Sequence, residues 1–290
     1  EYLSSPIDRR PKFHLYQPNI ALISGIAWDH INVFPTYDNY VEQFEIFIDK
    51  ITNGGILVYN EDDAEVKRVS EAATNPIRKL AYSTPTYSVS DGVTLLETPE
   101  GPMPIEVFGA HNLNNLAGAK WICQNMGVDE ADFYEAIASF KGASKRLEKI
   151  AEGKGRVAYK DFAHSPSKVA ATTKAVKEQY PNRTLVACLE LHTYSSLNAE
   201  FLKEYEGALE YADEAVVFYS PDAVKIKQLE EVTYEQIAKA FNREDLIIYT
   251  NPAEFKQYLF NRNLDNSALL LMSSGNYGGL NFDEVKQLIE

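Results

Sequence analysis

Hydrophobic and polar positions alternate along this chain in two distinct rhythms. Within residues 37–51, Tyr40, Phe44, Phe47, Ile48 and Ile51 recur at helical spacing, which predicts an amphipathic helix that Asn53-Gly54-Gly55 stops. Short continuous apolar runs predict buried strands instead: IALIS at 20–24, and GILVYN at 55–60, the latter followed by a helix over 62–69. From 78 to 108, β-rich runs alternate with the turn signals SDG and PEGP, so this stretch reads as an antiparallel, hairpin-containing segment. Helices are expected at 112–126 and 129–139.

The rhythm changes near residue 145. Strand-like runs at 156–162, 184–191, 214–219, 246–250 and 268–274 alternate with helices over 166–179, 199–211, 233–241, 252–260 and 282–289. A βαβ series of this kind builds a mostly parallel sheet with helices on both faces, hence an α/β fold. The change of pattern puts a boundary at FKGASKR and divides the chain into 1–143 and 144–290. A length of 290 residues suits two domains, and a hydrophobic share of 45% supplies a core for each.

Charge narrows the partners. A net charge of −14 argues against a nucleic-acid backbone or an anionic membrane as the main partner, and a bound nucleotide would need local cations or a metal. No run approaches the roughly 18 consecutive apolar residues of a membrane helix. The opening residues lack the apolar centre of a signal peptide, so a cytoplasmic location is expected. Cys123 and Cys188 sit in apolar runs and read as small buried hydrophobes, not as a disulfide or metal ligands.

Four histidines, His30, His111, His164 and His192, fall just after strands or at helix starts, where sites in α/β folds collect. The most informative stretch is GAHNLNNLAGAKWICQNMGV at 109–128. Asn112 and Asn115 lie near one face of the first turn of a helix, and carboxamides both donate to and accept from an adenine edge. Ala117, Gly118 and Ala119 would let that helix pack closely. An asparagine cap on an ordinary helix fits the same spacing.

The pattern GxHNxxNxxA, followed by Gly-Val and then FKGASKRLE, resembles the adenine-binding and domain-linking stretch of the Mur ligase family. Members of that family use ATP to join amino acids or peptides to UDP-linked muramic acid. Further segments agree in the family order: AWDHINVF, YKDFAHSPSKV, CLELHTYSS and LMSSGNYGGL. CLELHTYSS is similar to a segment of the alanine-adding members. The last segment and the opening EYLSSPIDRRPKFHLYQP resemble the murein peptide ligases.

The resemblance implies a partial Mur-type central ATPase domain followed by a Rossmann-like C-terminal domain. It implies ATP and magnesium as cofactors, and UDP-N-acetylmuramate with a murein peptide, or L-alanine, as substrates. His30 would bind magnesium or lie beside the γ-phosphate. Asn112 and Asn115 would hold adenine with His111 alongside, Arg146 would meet the phosphates, and Asp161 would accept from ribose hydroxyls. His164, His192 and Tyr194 would face the amine substrate. Ser274, Gly275 and Asn276, with Gly278 and Gly279, would bring backbone N–H groups to the substrate's carboxylate. In the implied reaction, the muramoyl carboxylate attacks the γ-phosphate, and the amine displaces phosphate from the acyl phosphate so formed.

The chain departs from the family pattern in four places. His164-Ser165-Pro166 stands where His-His-Pro is common, and Ser195-Ser196 where Ser-Arg would clamp a carboxylate. Residues 31–49 contain no lysine, so no carboxylated lysine is expected. No GKS or GKT triplet occurs, and the family's magnesium glutamate would precede Glu1. The expectation is therefore a fragment lacking the N-terminal portion with its phosphate loop, itself poor as a ligase. The competing readings are a non-catalytic Mur-like nucleotide-binding scaffold and a folate-adding or cyanophycin-making ligase. HTYSS and SSGNYGG argue against the latter pair.

Overall fold

The computed structural model describes residues 3–90, 92–230 and 232–290. They divide into two compact units, Glu1–Ser88 with Thr94–Phe140, and Val89–Val93 with Lys141–Glu290.

In the first unit, β1 (Ile20–Ile23), β2 (Ile56–Asn60) and β3 (Arg78–Tyr82) pair in parallel, in that order. Two helices, α1 (Tyr37–Asp49) and α2 (Ala64–Ala72), carry the chain between them. The Thr36 hydroxyl accepts the Asn39 N–H at 3.2 Å and caps α1. Tyr40, Phe44 and Ile48 then project from one face into a core with Phe34, Leu57 and Val66. Two further helices, α3 (Ala110–Asn125) and α4 (Glu130–Ala138), follow a second sheet of β4 (Tyr87–Ser90), β5 (Val93–Thr98) and β6 (Gly101–Ile105).

The antiparallel segment expected over 78–108 is therefore shorter than the sequence suggests. β5 and β6 do pair antiparallel, but Arg78–Tyr82 joins the parallel sheet, with Tyr59 opposite Ala81. The reason is topological: β2, α2 and β3 form a βαβ crossover, and the charges of Arg78 and Lys79 hide the strand.

α3 lies close against the parallel sheet. A Cβ on Gly118 would come within 2.9 Å of the Tyr82 ring and 3.1 Å of Leu22, so only glycine fits there. Burial, then the nearby Asp62 charge, push the Tyr82 phenol up to about 12, so it stays neutral at physiological pH.

The second unit holds a six-stranded sheet in the order β11-β10-β9-β12-β8-β7. Its strands are β7 (Glu148–Gly153), β8 (Arg156–Asp161), β9 (Thr184–Leu191), β10 (Glu214–Tyr219), β11 (Ile247–Tyr249) and β12 (Ser267–Met272). All pair in parallel except β7, which runs antiparallel to β8 at the edge. The helices are α5 (Pro166–Gln179), α6 (Pro221–Ile226), α7 (Tyr234–Phe241), α8 (Pro252–Asn261) and α9 (Phe282–Ile289). α5, α6 and α8 each open on proline, whose missing N–H has no partner to lose there. α7 starts with a reciprocal capping box between Thr233 and Gln236.

Three elements differ from expectation, and one of them is α6, a short helix that the sequence reading did not contain. The helix read over 199–211 is a short 3-10 turn, Phe201–Tyr205, followed by turns. Gly207, at φ +73°, breaks any α-helical continuation, while Tyr205 is buried against Phe241 with ring centroids 5.1 Å apart. β7 escaped the sequence because an edge strand carries charges (Glu148, Lys149, Glu152) that interrupt an apolar run. Cys188 is fully buried, as expected, whereas Cys123 is only half-buried.

Gly118→Val should lower the unfolding free energy by about 2–3 kcal/mol, because the added methyls meet the Tyr82 ring and Leu22 rather than open space. Urea unfolding of the two proteins measures this, and an unchanged midpoint would contradict the close approach.

Candidate functional site

In each unit, polar side chains gather where the parallel strands end. The first cluster lines a cleft of about 350 Å³ formed by Ser24 after β1, Asn60 at the end of β2, Asp62, Asp63, Thr84 after β3, and Ala110, His111, Asn114 and Asn115 from α3. Gly109 precedes the helix at φ +88°, a conformation glycine reaches without strain.

The hub of this cluster is Asn114. Its buried amide donates to Asn60 Oδ1 at 3.0 Å, Thr84 Oγ1 at 3.2 Å and Asp62 Oδ2 at 3.4 Å. Asp62 also takes the Thr84 N–H at 2.7 Å, and the Asn60 amide reaches the Ser24 carbonyl at 3.0 Å. Asp63 caps α2 and accepts the Ile26 N–H at 3.0 Å. The first turns of α3 are thereby fixed to all three strand ends.

Asn115, one residue on and so about 100° around the helix, is exposed at the cleft, and His111 lines it half-buried. Asn112 is placed differently: its amide donates to the Phe108 carbonyl at 2.9 Å, and it does not line the cleft. Asn60, Asp62, Thr84 and Asn114 went unnoticed in the sequence. The Asn60-Glu61-Asp62-Asp63 run directly after a strand was the available signal.

His30 lies in the turn after β1 at φ +55°, its N–H donating to Asp29 Oδ1 at 2.7 Å. Among the described residues, no three His, Cys, Asp or Glu side chains come together as a metal cluster. Magnesium takes oxygen ligands and is commonly held by one or two carboxylates together with water and substrate phosphates.

In the second unit, Asp161 ends β8 with 6% of its surface exposed. Its two carboxylate oxygens accept the Leu147 and Ala163 N–H groups, each at 2.6 Å. Two of its four lone-pair positions are thus taken by backbone, and two remain for other donors. Arg146 is exposed, with its guanidinium 5.4 Å from the Phe162 ring centre. His164 meets the same ring edge-on at 5.2 Å, so Phe162 brings Arg146 and His164 together. His164 is buried, with Nδ1 2.8 Å from the Phe162 carbonyl. A carbonyl only accepts, so Nδ1 carries the proton.

The loop after β12 stands beside them. Ser273 N–H donates to the Asp161 carbonyl at 2.9 Å, and Gly275 N–H to Ser273 Oγ at 2.7 Å. The Tyr277 N–H reaches Glu190 Oε2 at 2.8 Å, and the Gly279 N–H reaches the Asn276 carbonyl at 3.0 Å. Two of the amides expected to face a substrate carboxylate, those of Gly275 and Gly279, therefore have partners inside the unit. Tyr277, Gly278 and Gly279 take φ of +53°, +69° and +103°. The buried Tyr277 ring stacks on Phe255 at 5.0 Å, which pins the non-glycine member of this left-handed run.

His192 follows β9, 3.6 Å from Glu190, and Tyr194 is exposed. Ser196, standing where the family pattern has arginine, is wholly buried and closes a hydroxyl turn with Thr193 at 3.0 Å. Glu190 is a further residue the sequence did not single out; a lone acid inside an otherwise apolar strand was the signal.

Two α/β units with polar groups gathered at the strand ends have the architecture of ligand-binding parallel-sheet proteins. Residues 4–123 match the family described as Mur ligase middle domain, and residues 145–275 match the Mur ligase glutamate ligase domain. The chain belongs to the Mur ligase family.

A UDP-N-acetylmuramate–L-alanine ligase of Caldicellulosiruptor bescii is 30% identical over 217 residues, 71% of this chain and 47% of that protein. One from Alkaliphilus metalliredigens is 25% identical over 91% of this chain and 59% of its own length. The chain thus spans about half the length of the curated relatives it matches. A murein peptide ligase from Psychrobacter arcticus superposes with a TM-score of 0.64 at 18% identity, covering 99% of this chain and 61% of that one. MurF of Thermotoga maritima in complex with ADP gives 0.67 at 17% identity, covering 94% and 61%. At such identities these two structures speak to the fold.

Asn114→Asp should destabilise the protein more than Asn114→Ala at neutral pH, by roughly 1–2 kcal/mol, because it turns a donor into an acceptor facing Asp62 and Asn60 Oδ1. Chemical denaturation of both variants decides it, and equal losses would contradict the donor role.

Proposed function

We propose that this chain is the middle and C-terminal part of an ATP-dependent, ADP-forming amide ligase that joins a murein peptide to UDP-N-acetylmuramate. The observation that carries the reading is the cleft at the ends of β1–β3, where Asn114 holds the start of α3 and leaves Asn115 exposed. A planar heterocycle with mixed donors and acceptors suits that carboxamide, with His111 beside it. Arg146, exposed and held beside Phe162, is offered to phosphate oxygens, which a guanidinium meets in pairs. Asp161 retains lone pairs for ribose hydroxyls. His164, His192, Tyr194 and the 274–276 loop are assigned to the amine-bearing substrate.

The chemistry then runs in two displacements. The muramoyl carboxylate oxygen attacks the γ-phosphorus and ADP leaves. The amine nitrogen attacks the resulting acyl phosphate, phosphate departs, and the nitrogen loses a proton. Positioned cations around the transferring phosphoryl group supply most of the acceleration in reactions of this class. The proposed cofactors are ATP and magnesium, with His30 the residue of this chain assigned to the metal or the γ-phosphate. The proposed location is the cytoplasm; among the described residues no helix is long and apolar enough to cross a membrane.

A second reading takes L-alanine as the amine, which the names of the curated relatives favour. Ligation by the full-length protein, followed through phosphate release with UDP-N-acetylmuramate and ATP, separates the two. Turnover with the L-Ala-γ-D-Glu-diamino-acid tripeptide and not with L-alanine is the expected result. Turnover with L-alanine alone would install the second reading, and none with either would leave a nucleotide-binding scaffold. In the same assay, Arg146→Ala should reduce kcat/KM at least ~100-fold, and undiminished turnover would remove it from the phosphate site.

A further inference from the structure

Glu190 is out of keeping with its strand. Residues Leu185–Leu191 are all buried, and this carboxylate is 3% exposed among them. A buried charge is tolerated only when paired and hydrogen-bonded. Oε2 takes the Tyr277 N–H at 2.8 Å and the Ser273 hydroxyl, while Oε1 faces His192 Nδ1 at 3.6 Å, just beyond hydrogen-bond length. The loop passes directly over this pair: a Cβ on Gly275 would come within 2.8 Å of Glu190 Oε2 and 3.1 Å of His192 Cγ. Ser274 Oγ, buried in the same loop, has no hydrogen-bond partner among the described residues.

A neutral glutamine would satisfy Tyr277 and Ser273 without burying a charge. The second carboxylate oxygen matters for what it faces. An acceptor opposite Nδ1 keeps the proton on that nitrogen, and the ring's other nitrogen is then bare. The His192 side chain is 42% exposed, so its outer edge is reachable.

We propose that Glu190 is a positioning residue for the amine-bearing substrate: it ties His192 to the 273–279 loop and holds the imidazole in the tautomer whose bare Nε2 accepts a hydrogen bond from the incoming ammonium group. This rests on the ligase reading above. The unpaired Ser274 hydroxyl is the adjoining partner for the same substrate.

Glu190→Gln is the discriminating variant. Its amide oxygen stays with Tyr277 and Ser273, so its NH2 takes the place of Oε1 and points a donor at Nδ1. The imidazole must then present a lone pair inward and its N–H outward, toward an ammonium group that also only donates. In the full-length protein, KM for the amine substrate should rise about tenfold, with KM for ATP unchanged. Glu190→Gln made in a His192→Ala background should add almost nothing, as expected of two residues acting through one contact. Equal effects on both KM values, or additive losses, would overturn the proposal.

A readout independent of catalysis keeps this separate from the ligase reading. The ring ¹⁵N shifts of His192 should report Nδ1–H in the parent and Nε2–H in Glu190→Gln. If the parent ligates no amine but the tautomer flips as stated, the ligase reading fails and the Glu190–His192 pairing stands. If the tautomer does not change, the pairing fails whatever the enzyme does.

Discussion

Parallel strands joined by helices all finish at the same edge of their sheet, and both candidate clusters depend on that constraint. In the second unit the register sets Met272 level with Asp161 on one side and with Leu189 on the other. One residue further along, Ser273 and Glu190 emerge side by side, which is why a hydroxyl and a carboxylate from distant parts of the chain meet. In the first unit, Ile23 pairs with Tyr59 and Asn60 with Tyr82, so Ser24, Asn60 and Thr84 reach the same rim.

The two clusters solve the problem of buried polarity differently. Around Asn114 the groups are amides and hydroxyls bridged to carboxylates at the cleft, and each donor finds an acceptor in a neighbouring strand end. Asp161 and Glu190 instead place full charges under cover and surround them with backbone N–H groups from loops. Such carboxylates fix loop conformations that side-chain packing alone would leave open, including Leu147 at φ +44° and Tyr277 at φ +53°.

Most of the second unit was legible because strands buried on both faces are continuous apolar runs, and two of the helices read there, α5 and α8, open on proline. β3 and β7 were not, since Arg78, Lys79 and the glutamates of β7 mask them. At the sites, the sequence pointed to side chains that stand out by type: His111, Asn115, Arg146 and His192. It overlooked Asn114 and Glu190, whose importance lies in which distant atoms they reach. Spacing treated Asn112 and Asn115 alike, yet the first bonds back to the turn that starts its own helix.

The position of β12 has a consequence for how the second unit is made. This strand, residues 267–272, lies between β8 and β9, which do not pair with each other. During synthesis the chain emerges from its amino end, so β8 and β9 leave the ribosome with an open slot between them. That slot cannot close until β12 has followed, a whole series of further strands and helices after β9. Contacts so far apart in sequence form slowly, and the exposed strand edges are a hazard meanwhile. The strand that leads into the 273–279 loop is therefore also the one that completes the sheet, and a nascent chain has neither until it has both.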